Sequence, residues 1–567
     1  MENSVNYSAD FETTTDVNDC RVWAWCCCEI GNENNIFYGN CISSFIEHVQ
    51  EYQGVYYFHN LAFDGEFILN YLLKNGFECT AKRKQHSIKT LISDTGKFYS
   101  LTVYFDVNKK THKYVKVVFK DSLKKLPFKV EKIAKDFNLS IRKLTLNYSD
   151  VREVGHKLTQ HEKDYITNDV VIVSQAINQQ LQHGFKKLTV GSDALYTYKE
   201  MLGKPFNHNF PTLSVAMDTE IRKAYRGGWT YVHECYAGKI VGCGSVYDVN
   251  SLYPSVMYYN DLPYGKPHYY RGEYIECDEY PLYIQFITCT FKLKHGYLPM
   301  IQIKNSPFYM GTEYLKQSEG LVQLALTSVD LRLFMQHYDV NVYSYDYGYM
   351  FHSRNGMFNE YIDHFMEMKV KNKGAKRLLA KLMLNSLYGK FATNPNATPK
   401  IPYIKDDGSC GYQLGDVEIK KPVYTPLACF VTAWARYKTI TSAQAVYDRF
   451  LYADTDSIHV LGQEKVNIDV DPDKLGWWKH ESNFSRAKFI RAKTYIEDIE
   501  SVGGMVDGVY TQVPNSYLNV KCAGLPDELK EMCDFSNFSQ GLQLFGKLKP
   551  KHVSGGIVLV PTTFTLL

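Results

Sequence analysis

The sequence predicts a multidomain chain of mixed α/β and α+β units, on three observations. Its 567 residues make about three to five units at roughly 100–200 residues per domain, which excludes a single small binding module. Hydrophobic residues at 45% and charged residues at 22% are an ordinary folding mix, so long disordered or collagen-like stretches are excluded too. The apolar pattern also changes along the chain: strands and amphipathic helices interleave over roughly the first 190 residues and segregate afterwards.

In the first region, apolar runs predict strands at Tyr7–Phe11, Val22–Cys28, Val55–Phe58 and Tyr114–Phe119. Helical spacing predicts helices at Ser43–Tyr52, Glu66–Asn75 and His161–His183. Ser192–Met257 reads as helical, then a loop at Arg226–Trp229, then strands ending at Val246–Asp248. A Tyr- and Pro-rich insertion follows from Asn260 to Tyr349, then a basic helical stretch, Tyr361–Phe391. Lys400–Ile404 and Gly411–Leu414 flank the turn Asp406-Asp407-Gly408-Ser409 and read as a hairpin. Strands return around Phe450–His459, and a small carboxy-terminal unit carries Lys547, Lys549 and Lys551.

Charge nearly cancels, 64 Lys+Arg less 61 Asp+Glu giving +3, so the total does not name a partner. Its distribution is more telling, with seven Lys/Arg and no acid between Lys369 and Lys390. Acids precede the first basic residue, Arg21, at Asp10, Glu12, Asp16 and Asp19. The 14 Cys show no zinc spacing and read as reduced thiols, Cys26–Cys28 as small hydrophobes in a buried strand. Met1–Asp10 lacks the pattern of a secretory signal. The best apolar run, Leu427–Ala435, falls short of the ~20 residues of a membrane helix and reads as core. A cytoplasmic protein without membrane partners is expected. Tyrosine, 45 of 567 residues, is in excess and offers stacking faces with a polar handle.

Two groups of carboxylates stand out. Tyr452-Ala-Asp-Thr-Asp-Ser457 sets Asp454 and Asp456 at i and i+2, read as projecting from one face of an extended chain. Asp248 ends a strand in Asp248-Val-Asn-Ser-Leu-Tyr-Pro254. Like charges held close need a cation, and Asp248 with Asp456, helped by Asp454, suits magnesium in phosphoryl transfer. In the first region Asp10 and Glu12 share a strand, Asp64 lies in Asn60-Leu-Ala-Phe-Asp64, and Tyr165 and Asp169 are i, i+4 on a helix. That set suits metal-assisted hydrolysis, with Tyr165 orienting the water. Any one of these acids alone reads as a turn or cap residue.

Between the acids lies a stripe of Arg377, Lys381, Asn385 and Tyr388 on one helical face, able to grip a triphosphate and stack on a sugar or base. Tyr225-Arg226-Gly227-Gly228 and Lys493-Thr-Tyr495 add phosphate contacts.

In this order and combination the motifs closely resemble those of the protein-primed family B DNA polymerases of small Bacillus phages, over essentially the whole chain. The resemblance implies a ribonuclease H-like 3′-5′ exonuclease followed by a right-hand polymerase with two family-specific insertions. It implies residues 1–189 as exonuclease, 190–259 and 421–526 as the two parts of the palm, 357–391 as fingers and 527–567 as thumb. Residues 260–356 would contact the priming protein and DNA, and the hairpin insertion 392–420 would serve strand displacement and processivity. By the same resemblance Asp248, Val249 and Asp456 hold the polymerase metals beside Asp454, and Asp10, Glu12, Asp64 and Asp169 hold those of the exonuclease, with Tyr165 placing the water. The metals would be two Mg2+ per site, Mn2+ being able to substitute. Lys381 would bind the incoming phosphates, with Arg377 and Asn385 on its face; Tyr253 would exclude a ribose 2′-hydroxyl and Tyr388 check the nascent pair. Lys493 and Tyr495 would hold the primer end, and Tyr225, Arg226, Gly227 and Gly228 would help pass it between sites. Thr13, Asn60, Phe63, Ser122, Leu123, Lys143 and Tyr148 fall where relatives hold a single-stranded end. One position departs from the pattern: relatives carry Cys where this chain has Ala453.

The expected protein is a monomeric DNA-directed DNA polymerase that replicates a linear phage genome in the cytoplasm of an infected bacterium. Its partners would be template-primer DNA, dNTPs and a terminal protein that supplies the priming hydroxyl. A nuclease alone would leave the Asp454–Asp456 region without a task, and a non-catalytic binder would need neither acid cluster.

Overall fold

The computed structural model describes residues 5–108, 111–304 and 306–566; of the amino-terminal stretch Met1–Asp10, the first four residues lie outside the described ones.

The first region forms an eight-stranded mixed sheet. Its centre is Val5–Thr13, parallel to Gly54–Phe58, itself parallel to Tyr114–Asp121. Val22–Glu29 and Asn32–Gly39 extend one side antiparallel; Phe98–Val107, Ser87–Ile92 and Glu78–Cys79 complete the other. Central strands buried on both faces should read as continuous apolar runs rather than alternations. Val22–Glu29 does: Cys26 and Cys28 pack with Tyr165, Ile166 and Val170 of helix Gln160–Gln182 on one face. Trp25 and Cys27 pack with Phe45, Ile46 and Phe67 on the other. All 14 cysteines are free, and burial pushes the thiol of Cys26 far up, so it stays protonated. Helix Gln160–Gln182 starts at a capping box in which Thr159 and Glu162 satisfy each other's backbone N–H groups. Helix Leu61–Lys74 begins five residues before the predicted Glu66. Asn60, left-handed at φ 82°, turns the chain out of the strand and starts the helix in the run that carries Asp64.

The second sheet, antiparallel, has Gly244–Val249 at its centre, between Trp478–Arg491 and Ser457–Leu461. Thr494–Val506 and Val509–Cys522 widen it one way, Phe450–Asp454 and Thr230–Val232 the other. Helix Thr425–Ala445 packs against it and contains the apolar run Leu427–Ala435, buried as predicted except for half-buried Trp434. Among the described residues no helix is long and apolar enough to cross a membrane.

The insertion after Asn260 folds as a four-stranded sheet, Leu262–Arg271, Tyr338–Arg354, Leu282–Leu293 and Val322–Thr327, with helix Ser328–His337. The basic helical stretch is two helices, Asn359–Lys371 and Gly374–Phe391. The break falls at Asn372–Lys373, and Gly374 takes φ +58°, a conformation that costs glycine little. The predicted hairpin is Lys400–Ile404 paired with Cys410–Leu414, its turn closed by Gly408 at φ +77°. This hairpin and the carboxy-terminal one, Gln543–Val553 with Gly556–Thr565, both dock on helix Leu61–Lys74. Asn70 Nδ2 donates to the Gly408 carbonyl at 2.9 Å, and the Gly555 N–H donates to Asn70 Oδ1 at 3.1 Å.

Candidate active sites

Asp248 sits near the end of the central strand, opposite Ser457 and Lys479. Asp454 and Asp456 do not share one face of an extended chain as the i, i+2 spacing suggested. Asp454 pairs with Ser457 across a two-residue turn whose first residue, Thr455, is left-handed at φ 62°. Such a residue is strained and needs external support. Its N–H donates to the Trp229 carbonyl at 2.8 Å, and Thr439 Oγ1 donates to its carbonyl at 2.7 Å. The turn carries Asp456 to Asp248, with the Val249 N–H donating to the Asp456 carbonyl at 2.7 Å. Gly228 packs beneath it: a Cβ there would stand 2.6 Å from the Thr455 side chain.

Burial, then the charges of Asp456 and Glu481, push the Asp248 carboxyl up to about 8. Asp456 is raised by burial and by Asp454 and Glu481, while Lys381 lowers both. Asp454 itself is held by protein groups: Thr230 Oγ1 donates to it at 3.1 Å, the Tyr452 phenol at 3.3 Å, and Lys493 Nζ lies 3.8 Å away. A cavity of about 880 Å3 gathers Asp248, Val249, Asp456, Tyr253, Lys381, Asn385, Tyr388 and Tyr495. Tyr253 and Tyr388 stack within it at 3.9 Å between centroids. Arg377, one turn earlier on the helix, lines an adjoining cavity instead and donates to the Lys369 carbonyl at 2.9 Å.

Two wall residues, Lys479 and Glu481, were not singled out from the sequence, and a third, Lys369, was read only as part of the basic run. Lys479 and Glu481 belong to a strand 230 residues beyond Asp248 whose pairing only the sheet reveals; the signal available was an i, i+2 Lys/Glu alternation. The Tyr225–Gly228 loop is gripped from behind, a second unforeseen feature. Buried Arg436 donates to the carbonyls of Arg226 and Gly227 at 2.7 and 2.8 Å and pairs with both oxygens of buried Asp330. Arg226 turns its guanidinium inward to the Ala325 carbonyl at 2.7 Å, while Gly227 faces open space.

In the first region Asp10 and Glu12 leave the central strand, Asp64 the first turn of helix Leu61–Lys74, and Tyr165 and Asp169 helix Gln160–Gln182. Their ionisation is linked. Burial and Asp169 raise Asp10 to about 7; Glu12 and Asp64 are pushed well up by burial and by Asp10. One oxygen each of Asp64 and Asp169 is buried with no hydrogen-bond partner. Unpaired buried carboxylate oxygens are costly unless protonated or met by a cation, and an all-oxygen donor set fits a hard divalent ion. Among the described residues no three His, Cys, Asp or Glu side chains stand in a ready-made ligating group. Instead the Lys143 ammonium pairs with the other Asp169 oxygen, and Tyr148 and Tyr165 join phenol to phenol at 3.0 Å.

Around these acids, exposed Asn60 and half-buried Leu123 both donate backbone N–H groups to Asp121 Oδ1, at 3.1 and 2.9 Å. Phe63 lines a neighbouring cavity with Asn60, and Thr13 is buried at the strand end. Ser122 is fully buried and already donates to the Phe58 carbonyl at 3.0 Å, so its hydroxyl is spent within the fold.

A family model described as DNA polymerase type B, organellar and viral, matches residues 46–157 and 150–474. The chain is 49% identical over 569 residues to the DNA polymerase of Bacillus phage Nf, covering 99% of both. It is 47% identical over 568 residues to that of Bacillus phage phi29, covering 99% of this chain and 98% of the other. Its fold superimposes on the solved phi29 DNA polymerase complexed with primer-template DNA and incoming nucleotides with a TM-score of 0.94, at 46% identity and full coverage of both chains.

Proposed function

The chain belongs to the type B DNA polymerases of viruses and organelles, on the branch of the phi29-like Bacillus phage enzymes, and we propose that it copies a linear phage genome from a protein primer and proofreads its own product. The observation that carries the synthetic activity is the meeting of Asp248 and Asp456 in one cavity with Lys381, Asn385, Tyr388 and Tyr253. Asp248, the Val249 carbonyl and Asp456 would hold two Mg2+, which supply Lewis-acid polarisation and charge neutralisation at the reacting phosphate. The chain's own residues do the rest. Lys381 offsets charge on the triphosphate, Arg377 and Asn385 extend that face, and the Tyr253–Tyr388 stack bounds the sugar and nascent pair. Lys493 and Tyr495 hold the primer end beside Asp454. The likeness to a phi29 polymerase solved with primer-template DNA and incoming nucleotides supports these as the substrates.

For proofreading, Asp10, Glu12, Asp64 and Asp169 would hold two further Mg2+ while Tyr165 orients the attacking water. Thr13, Asn60, Phe63, Leu123, Lys143 and Tyr148 would receive the single-stranded end, with Ser122 shaping that wall from behind. The Tyr225–Gly228 loop would pass the primer between sites. We assign residues 1–189 to exonuclease, 190–259 and 421–526 to palm, 260–356 to contacts with priming protein and DNA, 357–391 to fingers, 392–420 to strand displacement and 527–567 to thumb. Initiation would use a Ser, Thr or Tyr hydroxyl of a separate terminal protein, in the cytoplasm of the infected host.

Primed template with dNTPs and Mg2+ tests the reading. Extension is expected, with shortening of the 3′ end when dNTPs are withheld. Shortening alone would leave a nuclease, and mere retention of DNA a binder. Protein priming is tested by covalent attachment of the first nucleotide to the cognate terminal protein; its absence would leave an ordinary primer-dependent polymerase.

A further inference from the structure

Residues 140–159 form neither helix nor strand, yet they carry Lys143 and Tyr148 beside the acids of the first region. A structureless segment longer than about 12–15 residues is uncommon in a compact domain and marks either disorder or function. Among the described residues a single backbone–backbone hydrogen bond closes within residues 140–158, from the His156 N–H to the Glu153 carbonyl at 3.0 Å. Side chains must therefore order this loop. One of them, Arg152, is 7% exposed, although arginine is almost never so buried without partners.

Its guanidinium joins two segments. Nη1 and Nη2 each donate to the Asn147 carbonyl at 3.1 Å, and Nη1 also donates to the Asp150 carbonyl at 3.0 Å, so one fork holds the backbone on both sides of Tyr148. Nε donates to Glu162 Oε1 at 2.8 Å, in the first turn of helix Gln160–Gln182 and three residues before Tyr165. Beneath the fork lies buried Trp23, its ring centroid 4.3 Å from the guanidinium carbon, a face that favours a cation. His156 Nε2 meets the other Glu162 oxygen at 2.8 Å, and the Thr159 N–H donates to that oxygen at 3.0 Å. Against the rise that burial alone would cause, these groups and Arg152 hold the Glu162 carboxyl down at about 2, so the pair stays ionised. The Tyr148 ring is 48% exposed, and packing alone does not fix it. Yet its phenol meets that of Tyr165 at 3.0 Å, and each ring stands within four residues of the one ion pair.

We propose that Arg152 is a positioning residue of the proofreading site: its fork fixes Tyr148 against Tyr165 and so sets where the water and the single-stranded 3′ end are held. The proposal rests on the exonuclease reading and adds to it a residue that belongs to neither the acid cluster nor the strand-binding set. Lysine cannot replace it, because an ammonium is a point charge without the planar fork that spans two carbonyls and a carboxylate at once.

The test uses the full chain on a single-stranded oligonucleotide with Mg2+ and no dNTPs. Arg152→Lys should lower kcat/KM for 3′ degradation about 10- to 100-fold, the scale of a misplaced contact group, while extension of primed template stays within about twofold. Glu162→Gln, which keeps a side chain able to cap the helix, should act in the same direction. In a Tyr148→Ala background Arg152→Lys should cost less than about twofold, because its effect passes through Tyr148. An equal cost in both backgrounds, or an unchanged rate in Arg152→Lys itself, would overturn the proposal. Trypsin gives a readout independent of activity: it should cut within residues 140–159 of native Arg152→Lys on the order of tenfold faster, and unchanged cutting would also overturn it. A parallel loss of primer extension would do so too, by showing general destabilisation in place of positioning. If the unmodified chain leaves 3′ ends intact, the exonuclease reading fails instead, so the two failures are distinct.

Discussion

Tyr253 and Tyr388 stack nearly parallel, 3.9 Å between centroids and 20° between planes, although 135 residues apart in the chain. One follows the strand that carries Asp248; the other lies on the basic helix. Their contact joins the strand that carries Asp248 to the basic helix across one cavity, and in the proposed reading it would set a wall that a ribose 2′-hydroxyl strikes. Tyr253→Val should raise ribonucleotide incorporation relative to deoxyribonucleotide on the order of 100-fold, measured as a ratio of kcat/KM values. Unaltered sugar selectivity would remove Tyr253 from that role.

The two acid clusters should separate by mutation. Asp456→Ala is expected to lower primer extension on the order of a thousandfold or more and to leave degradation of single strands intact. Asp10→Ala with Glu12→Ala should do the converse. Each variant is assayed for both reactions; a variant that lost both would show that the clusters do not act independently.

Asp248 predicts a pH dependence of metal binding. Raised to about 8 by burial, Asp456 and Glu481, it is mostly protonated at pH 7 without a cation, so a divalent ion must displace that proton. Apparent Mg2+ affinity should rise with pH up to about 8 and then level. Calorimetry of Asp10→Ala/Glu12→Ala protein in buffers of different ionisation enthalpy should detect net proton release on Mg2+ binding at pH 7. Affinity independent of pH between 6 and 8 would contradict the assignment.

Arg436 and Asp330 form a buried bidentate pair, 3% and 1% exposed, that also carries the Arg226 and Gly227 carbonyls. Arg436→Ala leaves a buried carboxylate with only the Thr327 hydroxyl as donor, at 2.8 Å, and two carbonyls without the guanidinium, and should cost about 3–5 kcal/mol, read by denaturant unfolding. Arg436→Leu with Asp330→Leu should recover much of that stability, yet not the loop's function, since the carbonyls stay unpaired. Full recovery of both would show that the grip on the loop is incidental.

Glu66, 2% exposed, is where three chain segments meet: the Tyr412 phenol of the insertion hairpin donates to it, and His552 of the carboxy-terminal hairpin faces it at 3.3 Å. Glu66 raises the His552 pKa. A group raised on folding stabilises below its unfolded pKa of about 6.5 and ceases to as pH climbs through the folded value. The half-exposed histidine limits the effect to under about 1 kcal/mol. The protection of amides in residues 543–565, taken relative to their intrinsic exchange rate at each pH, should therefore fall between pH 6 and 8, and His552→Gln should abolish that fall.

Much of the site was legible because its motifs are local. Asp10 and Glu12 really do share a strand, Tyr165 and Asp169 a helix, and Lys381, Asn385 and Tyr388 a helical face, since side-chain periodicity is a property of the backbone itself. Spacing misled where the backbone left its regular form. At Asp454–Asp456 a left-handed Thr455 makes a turn, and at Asn60 another left-handed residue starts a helix early. Ser122 and Arg226 carry the expected side chains but spend them on carbonyls inside the fold, which depends on neighbours far away in sequence.

The sequence by itself determined that this is a large, folding, multidomain chain of the phage DNA polymerase kind, with two sets of acids, a basic helical face and unpaired cysteines, of which Cys26–Cys28 are core. Those follow from composition, local period and motif order. Only the tertiary structure decided that Glu481 and Lys479 stand beside Asp248, that Arg436 and Asp330 clamp the loop at Gly227, and that the Arg152 fork lies over Trp23. Each of these depends on strand pairing or helix packing between distant segments, and long-range contacts are chosen by the packing of the whole molecule rather than by any stretch of it.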